Sequence, residues 1–395
     1  MIKKTDTLKE IIEVDSSLID VFNNHGFKGL DNSLVLKQVG NQTLESLLKS
    51  RSKNVEVFVK MLNETFENKT IDVALQENNN NGSINMIGLL PCPVRLPLLE
   101  ALNKLPQIKD VNHNLKAASE GLDWLKENVL VAQKEEDLAD IYISAGFDLF
   151  FEEDLMKRFK DQKVFLDYNH ESSINKDFDN DKISLKDPNH DYSMFAVVPA
   201  VFLVNTQVLG DRPMPKTWKD LLDPIYKGSI SLPVSDFDLF NAILIHIHKE
   251  FGIEAVRTLG NQLIASMHPA QMVKSEKRAR IKPAISIMPY FFTKMALPGS
   301  VMKAVWPEDG AIVSPIFMLT KKSKREILEP LSEFFLSKEI GEILSHKGLF
   351  PSTNPEVDNK LTNPEFKWIG WDYIDSNDIG SILKECMSEF EKGMS

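Results

Sequence analysis

The sequence is poor in cysteine, lacks long apolar runs and carries no excess of positive charge. Two cysteines in 395 residues, Cys92 and Cys386, are too few for a disulfide framework or, by themselves, for a zinc or iron–sulfur site. A net charge of −11 disfavours a nucleic-acid-binding protein, which usually has a basic face. The longest apolar stretches, near residues 86–90 and 195–204, fall short of the roughly 20 residues that span a bilayer. We therefore expect no nucleic-acid partner, no transmembrane segment, no metal and no cofactor.

The N-terminus also lacks the features of a secretory leader. Lys3 and Lys4 are basic, but neither a lipobox-like cysteine nor the apolar run of about 7–15 residues that a signal peptide needs comes after them. We therefore expect a cytoplasmic protein. If a leader has been removed, the alternative is an extracellular or lipid-anchored protein.

Motifs of the common catalytic sites are absent as well. The sequence contains no Gly-x-Ser-x-Gly elbow, Walker loop, Gly-x-Gly-x-x-Gly fingerprint or His-Glu-x-x-His helix. His246 and His248 lie two positions apart, so on a helix they point to different sides and make a poor metal pair. The sequence thus predicts a protein that is not an enzyme.

Residues 1–75 have apolar residues at helical spacing and predict a small all-α domain. Thr7 and Glu10 fit a capping box at the start of one helix, and Thr43 is placed to begin another. The Asn-rich run at 76–83 cannot bury apolar area and predicts a linker.

Residues 84–395 alternate between strand-like and helix-like patterns. Such alternation favours an α/β fold with parallel sheets covered on both faces, in which ligands bind beyond the carboxyl ends of the strands. The predicted strands are 84–90, 139–144, 195–204, 229–232, 284–288 and 311–319, and the predicted helices are 96–105, 237–251, 324–336 and 338–347.

The first strand–helix junction, Leu90–Pro97, is a candidate anion site. Free N–H groups at the start of a helix favour an anion, and Arg95 could add a bidentate contact. Alternatively, Arg95 lies on the surface of a proline-stiffened turn. Cys92 is either a reactive thiol at a helix N-terminus or a small buried filler.

Two later strand ends carry hydroxyl groups. Ser144 ends the second predicted strand, where it either binds an anion together with backbone amides or caps a helix. Ser235 follows the strand at 229–232 and either contacts a ligand or, with Asp236, caps the next helix.

Four segments, taken in order, carry a family resemblance. Ala-Asp-Ile-Tyr-Ile-Ser-Ala-Gly at 139–146 is similar to a strand motif Ala-Asp-Val-Phe-x-Ser, and 204–209 is similar to a crossover segment. The most specific match is 215–228, with the core Pro-x-Thr-Trp-x-Asp-Leu. Leu-Phe-Pro-Ser-Thr-Asn-Pro at 349–355 resembles a closing segment. Together they resemble the bacterial extracellular solute-binding family, whose members take ferric iron, thiamine, polyamines, phosphonates and similar ligands.

The resemblance implies the periplasmic-binding-protein type 2 fold, in which two α/β lobes are joined by two strand crossings and close on a ligand by a hinge. Carried over, the first lobe comprises about 84–195 and 305–355, the second about 200–300, and a C-terminal segment 356–395 follows. The implied function is that of a substrate-binding component of an ABC importer, which captures a solute without changing it.

Iron-binding members of the family place two adjacent tyrosines after a late strand. The matching stretch here keeps Tyr290 but has Phe291 at the second position. Ferric iron prefers several anionic oxygens, so the loss of one phenolate disfavours it as the ligand. Tyr290 is either a pocket residue or an aromatic side chain packed at a strand end.

Residues 1–75 resemble a small helical domain of unknown function from anaerobic bacteria, through the segments Thr7–Glu13 and Val21–Phe27. Many relatives have a cysteine pair after the His-Gly of the second segment, where this chain has Lys28–Asp31. The resemblance therefore implies a protein partner or ligand sensing here, not a metal or redox role.

Taken together, the sequence predicts a binding protein for a small anionic or zwitterionic solute, held by Cys92, Arg95, Ser144, Ser235 and Tyr290. One alternative is a cytoplasmic ligand-dependent regulator or carrier that acts through its helical domain. Another is an enzyme that uses the same cleft with the cysteine as nucleophile.

Overall fold

The structure, a computed structural model, divides the chain into two compact units, 1–79 and 80–395. It describes residues 2–14, 39–50, 82–118, 122–234, 237–267, 269–273, 275–278, 281–296 and 299–394, with single positions between 18 and 62. The predicted linker therefore lies almost wholly outside the described residues, and so does Ser235.

In the first unit, the described helices are α1 (Leu8–Val14) and α2 (Leu44–Ser50). The predicted capping box is confirmed, because the Thr7 amide donates to Glu10 Oε2 at 2.7 Å and the Glu10 amide to Thr7 Oγ1 at 3.3 Å. Thr43 begins α2 as predicted, since its Oγ1 accepts from the Ser46 amide at 3.3 Å. Both helices bury their leucines in a common apolar core.

The second unit contains ten strands among the described residues, all in one sheet. Their bounds are β1 Ile84–Leu90, β2 Val111–Ala117, β3 Ile141–Ala145, β4 Tyr192–Asn205, β5 Ile230–Leu232, β6 Leu263–Ser266, β7 Ile285–Pro289, β8 Met302–Val305, β9 Ala311–Thr320 and β10 Phe366–Lys367. The order across the sheet is β2-β1-β3-β9-β4-β7-β5-β6, with β10 beside β9 and β8 beside β4.

Helices cover this sheet. The α-helices are α3 Arg95–Leu102, α4 Asp123–Val131, α5 Arg158–Asp161, α6 Thr206–Leu209, α7 Phe237–Phe251, α8 Ile253–Gln262, α9 Pro269–Val273, α10 Ser275–Arg278, α11 Tyr290–Thr293, α12 Arg325–Leu336, α13 Lys338–Glu342, α14 Trp371–Ser376 and α15 Ile379–Met394. Shorter 3-10 or π turns occupy Cys92–Val94, Pro106–Asp110, Glu135–Asp137, Leu149–Phe151, Glu153–Lys157, Asp220–Leu222, Pro224–Tyr226, Lys322–Lys324 and Ile343–Lys347. Within the described residues, no helix is both long and apolar enough to cross a membrane.

The α/β fold class is confirmed, but the sheet is mixed where the alternating pattern predicts a parallel one. Strands β2, β1 and β3 run parallel to one another, as do β7, β5 and β6. Between these two sets, β4 and β9 run antiparallel to each other, and each is antiparallel to the set it borders. The difference arises because the chain crosses from one set to the other on these two strands.

The crossing strands are apolar along most of their length. β4 has 14 residues, and thirteen of them are buried; all of β9 is buried. At the start of β4, the Tyr192 ring stacks on Phe151 at 4.7 Å between centroids and contacts Phe317 of β9 edge to face at 5.3 Å. Continuous apolar runs are typical of strands that are covered on both faces.

The motif Pro-x-Thr-Trp-x-Asp-Leu shapes the fold around the crossing. The Trp218 side chain is fully buried, its Nε1 donates to the Gly310 carbonyl at 2.9 Å, and its ring contacts Phe202 of β4 edge to face. Asp220 Oδ2 accepts from the backbone amides of Lys216 and Thr217 at 2.8 and 2.9 Å. The motif therefore fixes a loop against the crossing strands through buried contacts.

Candidate functional site

The carboxyl ends of the two parallel sets point toward each other. Because β3 is parallel to β4 and β7 is antiparallel to it, the two sets run in opposite directions. The last residue of β3, Ala145, is level with Ala196 of β4 through Ile316 of β9. The last residue of β7, Pro289, pairs with Ala200. Four residues of extended chain are about 13 Å long, so a gap of this length along the strand direction separates the two sets of strand ends.

The first predicted site lies at one edge of this gap. Cys92 begins the turn that follows β1, and it is a free, exposed thiol. Arg95 begins α3, where its side chain is buried and its Nε and Nη2 donate to the Leu115 carbonyl at 3.0 and 2.8 Å. Arg95 is thus neither a surface residue nor free of protein contacts, because its guanidinium holds the backbone of β2.

Ser144 lies one residue before the end of β3, as predicted. Its side chain is buried, with 1% of the residue exposed, and no described residue forms a hydrogen bond with its Oγ. Buried hydroxyl groups normally have a partner. The Ser144 hydroxyl therefore has hydrogen-bonding capacity that the described residues leave unused.

The loop after β3 contacts the start of α7, which belongs to the opposite set. Gly146 has φ +84, and a Cβ on it would come within 2.9 Å of the Asp238 Cα. Two residues on, Asp148 Oδ1 accepts a short hydrogen bond from Asn241 Nδ2. Asp148 Oδ2 and Asn241 Oδ1 are buried without a hydrogen-bond partner among the described residues.

This pair makes the Asp148 carboxyl group unusual. Burial, followed by the nearby Glu152 carboxylate, raises the pKa of Asp148 to about 6, against the opposing effects of the hydrogen bond from Asn241 and the charge of Lys126. A protonated Asp148 could donate from Oδ2 to the unpartnered Asn241 Oδ1, which would satisfy both atoms. The sequence motif Ser-Ala-Gly-Phe-Asp contains Asp148 but does not reveal this partner.

Across the gap, Tyr290 follows the last residue of β7. Its ring is half-buried, contacts Trp306 edge to face at 5.3 Å, and lies 4.9 Å from the Lys294 ammonium group. Both descriptions of Tyr290 that the sequence allows, a pocket residue and a packed aromatic at a strand end, are compatible with this position.

Phe291 provides a contact that the sequence did not predict. Its ring contacts the buried Phe350 at 5.3 Å with an interplanar angle of 64°. Phe350 lies beside the first strand set, since Gly348 approaches Val94 of the turn after β1 and Ser352 bridges to Ala196 of β4. Two aromatic rings thus meet between the strand sets.

Of the predicted site residues, Cys92, Ser144 and Tyr290 lie at strand ends around this gap. Arg95 is bound to the backbone of β2. Ser235 lies outside the described residues. Among the residues that are described, no group of three or more histidine, cysteine, aspartate or glutamate side chains is arranged to hold a metal ion. Phe350 and Asn241 were missed because each lies far along the chain from its partner.

Comparison with known sequences gives one family match. The sequence profile described as bacterial extracellular solute-binding protein matches residues 136–377, which is more than half of the chain. A search among curated protein sequences finds no match.

Solved structures share the fold at low sequence identity. A ferric binding protein from Campylobacter jejuni has 16% identity and a TM-score of 0.59, with 78% of this chain and 99% of that chain covered. The periplasmic binding protein AfuA from Actinobacillus pleuropneumoniae, solved with fructose-6-phosphate, has 18% identity and a TM-score of 0.54, with coverage of 79% and 99%. An ABC-transporter substrate-binding protein from Agrobacterium tumefaciens has 13% identity and a TM-score of 0.56, with coverage of 80% and 97%.

These neighbours confirm the periplasmic-binding-protein fold, and the family consists of binding proteins, not enzymes. The family description names extracellular proteins and so does not support the expected cytoplasmic location. Together with the opposed strand ends, the profile match shows that the chain belongs to the bacterial extracellular solute-binding protein family.

Proposed function

We propose that this protein binds a small anionic or zwitterionic solute between two lobes and releases it unchanged. The observation that carries the proposal is that two sets of strand ends point toward each other with an offset of about 13 Å along the strand direction. Ligands of open α/β sheets bind beyond the carboxyl ends of the strands. A gap with such ends on both sides can therefore contact a ligand from both lobes.

The two lobes of the proposal are about 84–195 with 305–355, and about 200–300. The antiparallel strands β4 and β9 would form the crossings, and rotation about them would open and close the gap. The C-terminal helix α15 packs on α8 and α7, which favours grouping the segment 356–395 with the second lobe.

In the proposed cleft, Ser144 donates its unpartnered hydroxyl to the anionic group of the ligand, and Tyr290 contacts it from the other lobe. Ser235 is proposed to bind from the start of α7, where a helix N-terminus favours negative charge. Cys92 lines the exposed rim. Arg95 supports the wall, because its Nε and Nη2 are bound to the Leu115 carbonyl.

Calorimetric titration with a panel of small anions and zwitterions tests the proposal, after a thermal-shift screen has chosen the solutes. A hydrogen bond to a charged group is worth about 1.5–3 kcal/mol, so Ser144→Ala should weaken binding roughly tenfold or more. Tyr290→Phe should also weaken it. Tyr373→Phe, a half-buried tyrosine of α14, serves as the control and should change nothing.

Chemical analysis of the solute after incubation addresses turnover. An unchanged solute with both wild type and Cys92→Ala supports binding alone, whereas conversion that disappears in Cys92→Ala would establish an enzyme. Binding that is insensitive to both Ser144→Ala and Tyr290→Phe would place the ligand elsewhere and overturn the proposed cleft.

We further propose that the protein works outside the cell membrane with an ABC-type permease, as its family membership suggests. Fractionation of the native, untagged protein tests the location. Recovery with the cytoplasmic markers alone would contradict it and favour the regulator or carrier alternative, which pull-downs with and without residues 1–75 would then examine.

A further inference from the structure

A second cavity lies away from the residues of the proposed cleft. It has a volume of about 560 Å³ and is bounded by the segment 166–173, by α12 and by the turn at 353–355. Of the candidate cleft residues that the structure describes, Cys92, Arg95, Ser144 and Tyr290, none lines it. Its volume lies within the range of about 300–1,000 Å³ that small-molecule sites occupy.

The walls of this cavity are held by hydrogen bonds to the crossing strand. The Tyr168 amide donates to Ser193 Oγ, and Asn169 Nδ2 donates to the Met194 carbonyl, both at 2.9 Å. Thr353 Oγ1 donates to the same Met194 carbonyl at 2.8 Å. The segment and the turn are therefore fixed to β4, so the cavity exists before any ligand arrives.

Helix α12 contributes a row of charged side chains. Arg325, Glu329 and Glu333 line the cavity at intervals of four residues, which places them on one face of the helix. The Tyr168 hydroxyl donates to the Arg325 carbonyl at 3.0 Å and so fixes its ring beside this row. Burial, followed by the negative charge of Glu329, raises the pKa of Tyr168, which agrees with a carboxylate close to the phenol.

Two donors at the cavity are already used, whereas the carboxylates of Glu329 and Glu333 are not. The Tyr168 hydroxyl is bound to Arg325, and Asn354 Nδ2 donates to the Leu336 carbonyl at 2.8 Å. No cation of the described residues lies within ion-pair distance of Glu329 or Glu333. A ligand would therefore meet two unpaired carboxylates beside an aromatic ring, and this combination recognises a positive charge that carries N–H donors.

We propose that this cavity is a second ligand site, specific for a small organic cation with a primary amine. The ammonium group binds Glu329 and Glu333 and contacts the Tyr168 ring, while Arg325 at the end of the row leaves room for a polar or acidic group of the same ligand. The site does not depend on the cleft, because all the residues that line it belong to the first proposed lobe.

Calorimetry at constant ionic strength with putrescine and n-butylamine, and with n-butanol as the uncharged counterpart, tests the site. Both amines should bind wild type and butanol should not. Glu329→Gln/Glu333→Gln should weaken amine binding at least tenfold. Glu326→Gln, an exposed position on the same helix that does not line the cavity, should leave it unchanged.

Tyr168→Leu provides a second variant, which removes the ring but no charge and should weaken amine binding severalfold. Three results would overturn the site: no binding of either amine, equal loss in the Glu326→Gln control, or amine binding that survives Glu329→Gln/Glu333→Gln but is lost in Tyr290→Phe. The last result would place the amine in the cleft and so count against the proposed anionic ligand as well, whereas the first two leave the cleft untouched.

Discussion

In the proposed cleft, the wall that follows β3 is built from buried polar groups, whereas the wall that follows β7 is built from aromatic rings. Ser144 and Asp148 carry oxygens without partners among the described residues, while Tyr290 and Phe291 present half-buried rings. Polar groups in a site of low polarity fix the orientation of a ligand, and apolar surface supplies affinity. The contrast therefore suggests that one lobe selects the ligand by its charge and hydrogen bonds, and the other by its shape.

The two walls also differ in their response to pH. Asp148, with its pKa raised to about 6 by burial and then by Glu152, can change its charge in mildly acidic solution. Phe291 of the opposite wall carries no ionisable group. We therefore expect the effect of replacing Asp148 to depend on pH, and the effect of replacing Phe291 to be independent of it.

Loss of the Phe350 ring, which contacts Phe291 between the two strand sets, should have the largest effect on the free energy of unfolding. Phe350→Ala deletes a ring that is only 2% exposed, and buried phenylalanine-to-alanine changes cost about 3–5 kcal/mol. Urea denaturation gives the free energy of unfolding. The control is Phe334→Ala, which removes a partly exposed ring of α12. An equal loss of unfolding free energy in the control would mean that the buried Phe350 ring stabilises the fold no more than a partly exposed ring does.

Replacement of Asp148 by asparagine should have the next largest effect, and only above mildly acidic pH. The folded pKa of Asp148 is about 6, above its usual value of 3.8, so the stability that protonation brings is present below pH 3.8 and is lost as the pH rises through 6. Asp148→Asn keeps the uncharged form at every pH. Its free energy of unfolding should exceed that of wild type at pH 8, by at most about 3 kcal/mol, and match it near pH 4.

The difference in free energy of unfolding between wild type and Asp148→Asn reports on Asp148 alone, because the pKa shifts of other groups contribute equally to both proteins. Burial also raises the pKa of Asp167 and Asp191 to about 6 and lowers that of His246 to about 3, and all three titrate alike in both proteins. Asp181→Asn, at an exposed position, serves as the surface control for the removal of one carboxyl group. A constant difference between pH 4 and pH 8 for Asp148→Asn would show that the folded protein does not raise the pKa of Asp148.

A smaller loss of stability is expected when alanine replaces Gly146 in the turn between β3 and Asp148. Gly146 and Gly210 both have positive φ, +84 and +62, but a Cβ meets Asp238 only at Gly146 and meets nothing within 4 Å at Gly210. Both alanine variants carry a backbone cost of roughly 1–3 kcal/mol, because residues with a Cβ rarely adopt these conformations, and overpacking adds roughly 1 kcal/mol or more at Gly146. Thermal unfolding of the two variants measures the difference. Equal losses would mean that the loop and α7 can move apart freely.

Strong apolar strands could be predicted from the sequence, and weak edge strands could not. The prediction of β1 matches its bounds, and that of β4 is short by three residues at one end and one at the other. The sequence of β2, Val-Asn-His-Asn-Leu-Lys-Ala, buries only three of its seven residues, so its pattern resembles a polar loop. Edge strands of this kind depend on their neighbours more than on their own residues.

The positions of the candidate residues along the fold could be predicted, but their contacts could not. Strand ends follow from local patterns, which is why Ser144 lies near the end of β3 and Tyr290 directly after β7, as predicted. The Leu115 carbonyl lies 20 residues from Arg95, and Phe350 lies 59 residues from Phe291; no local pattern encodes these pairs. Ser235 lies outside the described residues, so its predicted role stays a prediction.

The smallest effect concerns the ring pair itself. Single substitutions at Phe291 and Phe350 mix the loss of the ring–ring contact with the loss of burial, and a double-mutant cycle separates them. Edge-to-face aromatic pairs contribute about 0.5–1.5 kcal/mol beyond burial, so Phe291→Ala, Phe350→Ala and the double variant should give a coupling free energy of that size in urea denaturation. Phe291→Leu, which keeps apolar volume, should lose the coupling but little of the burial. A coupling energy of zero in the cycle would mean that the rings do not contact each other in solution and that the lobes are held apart when no ligand is bound.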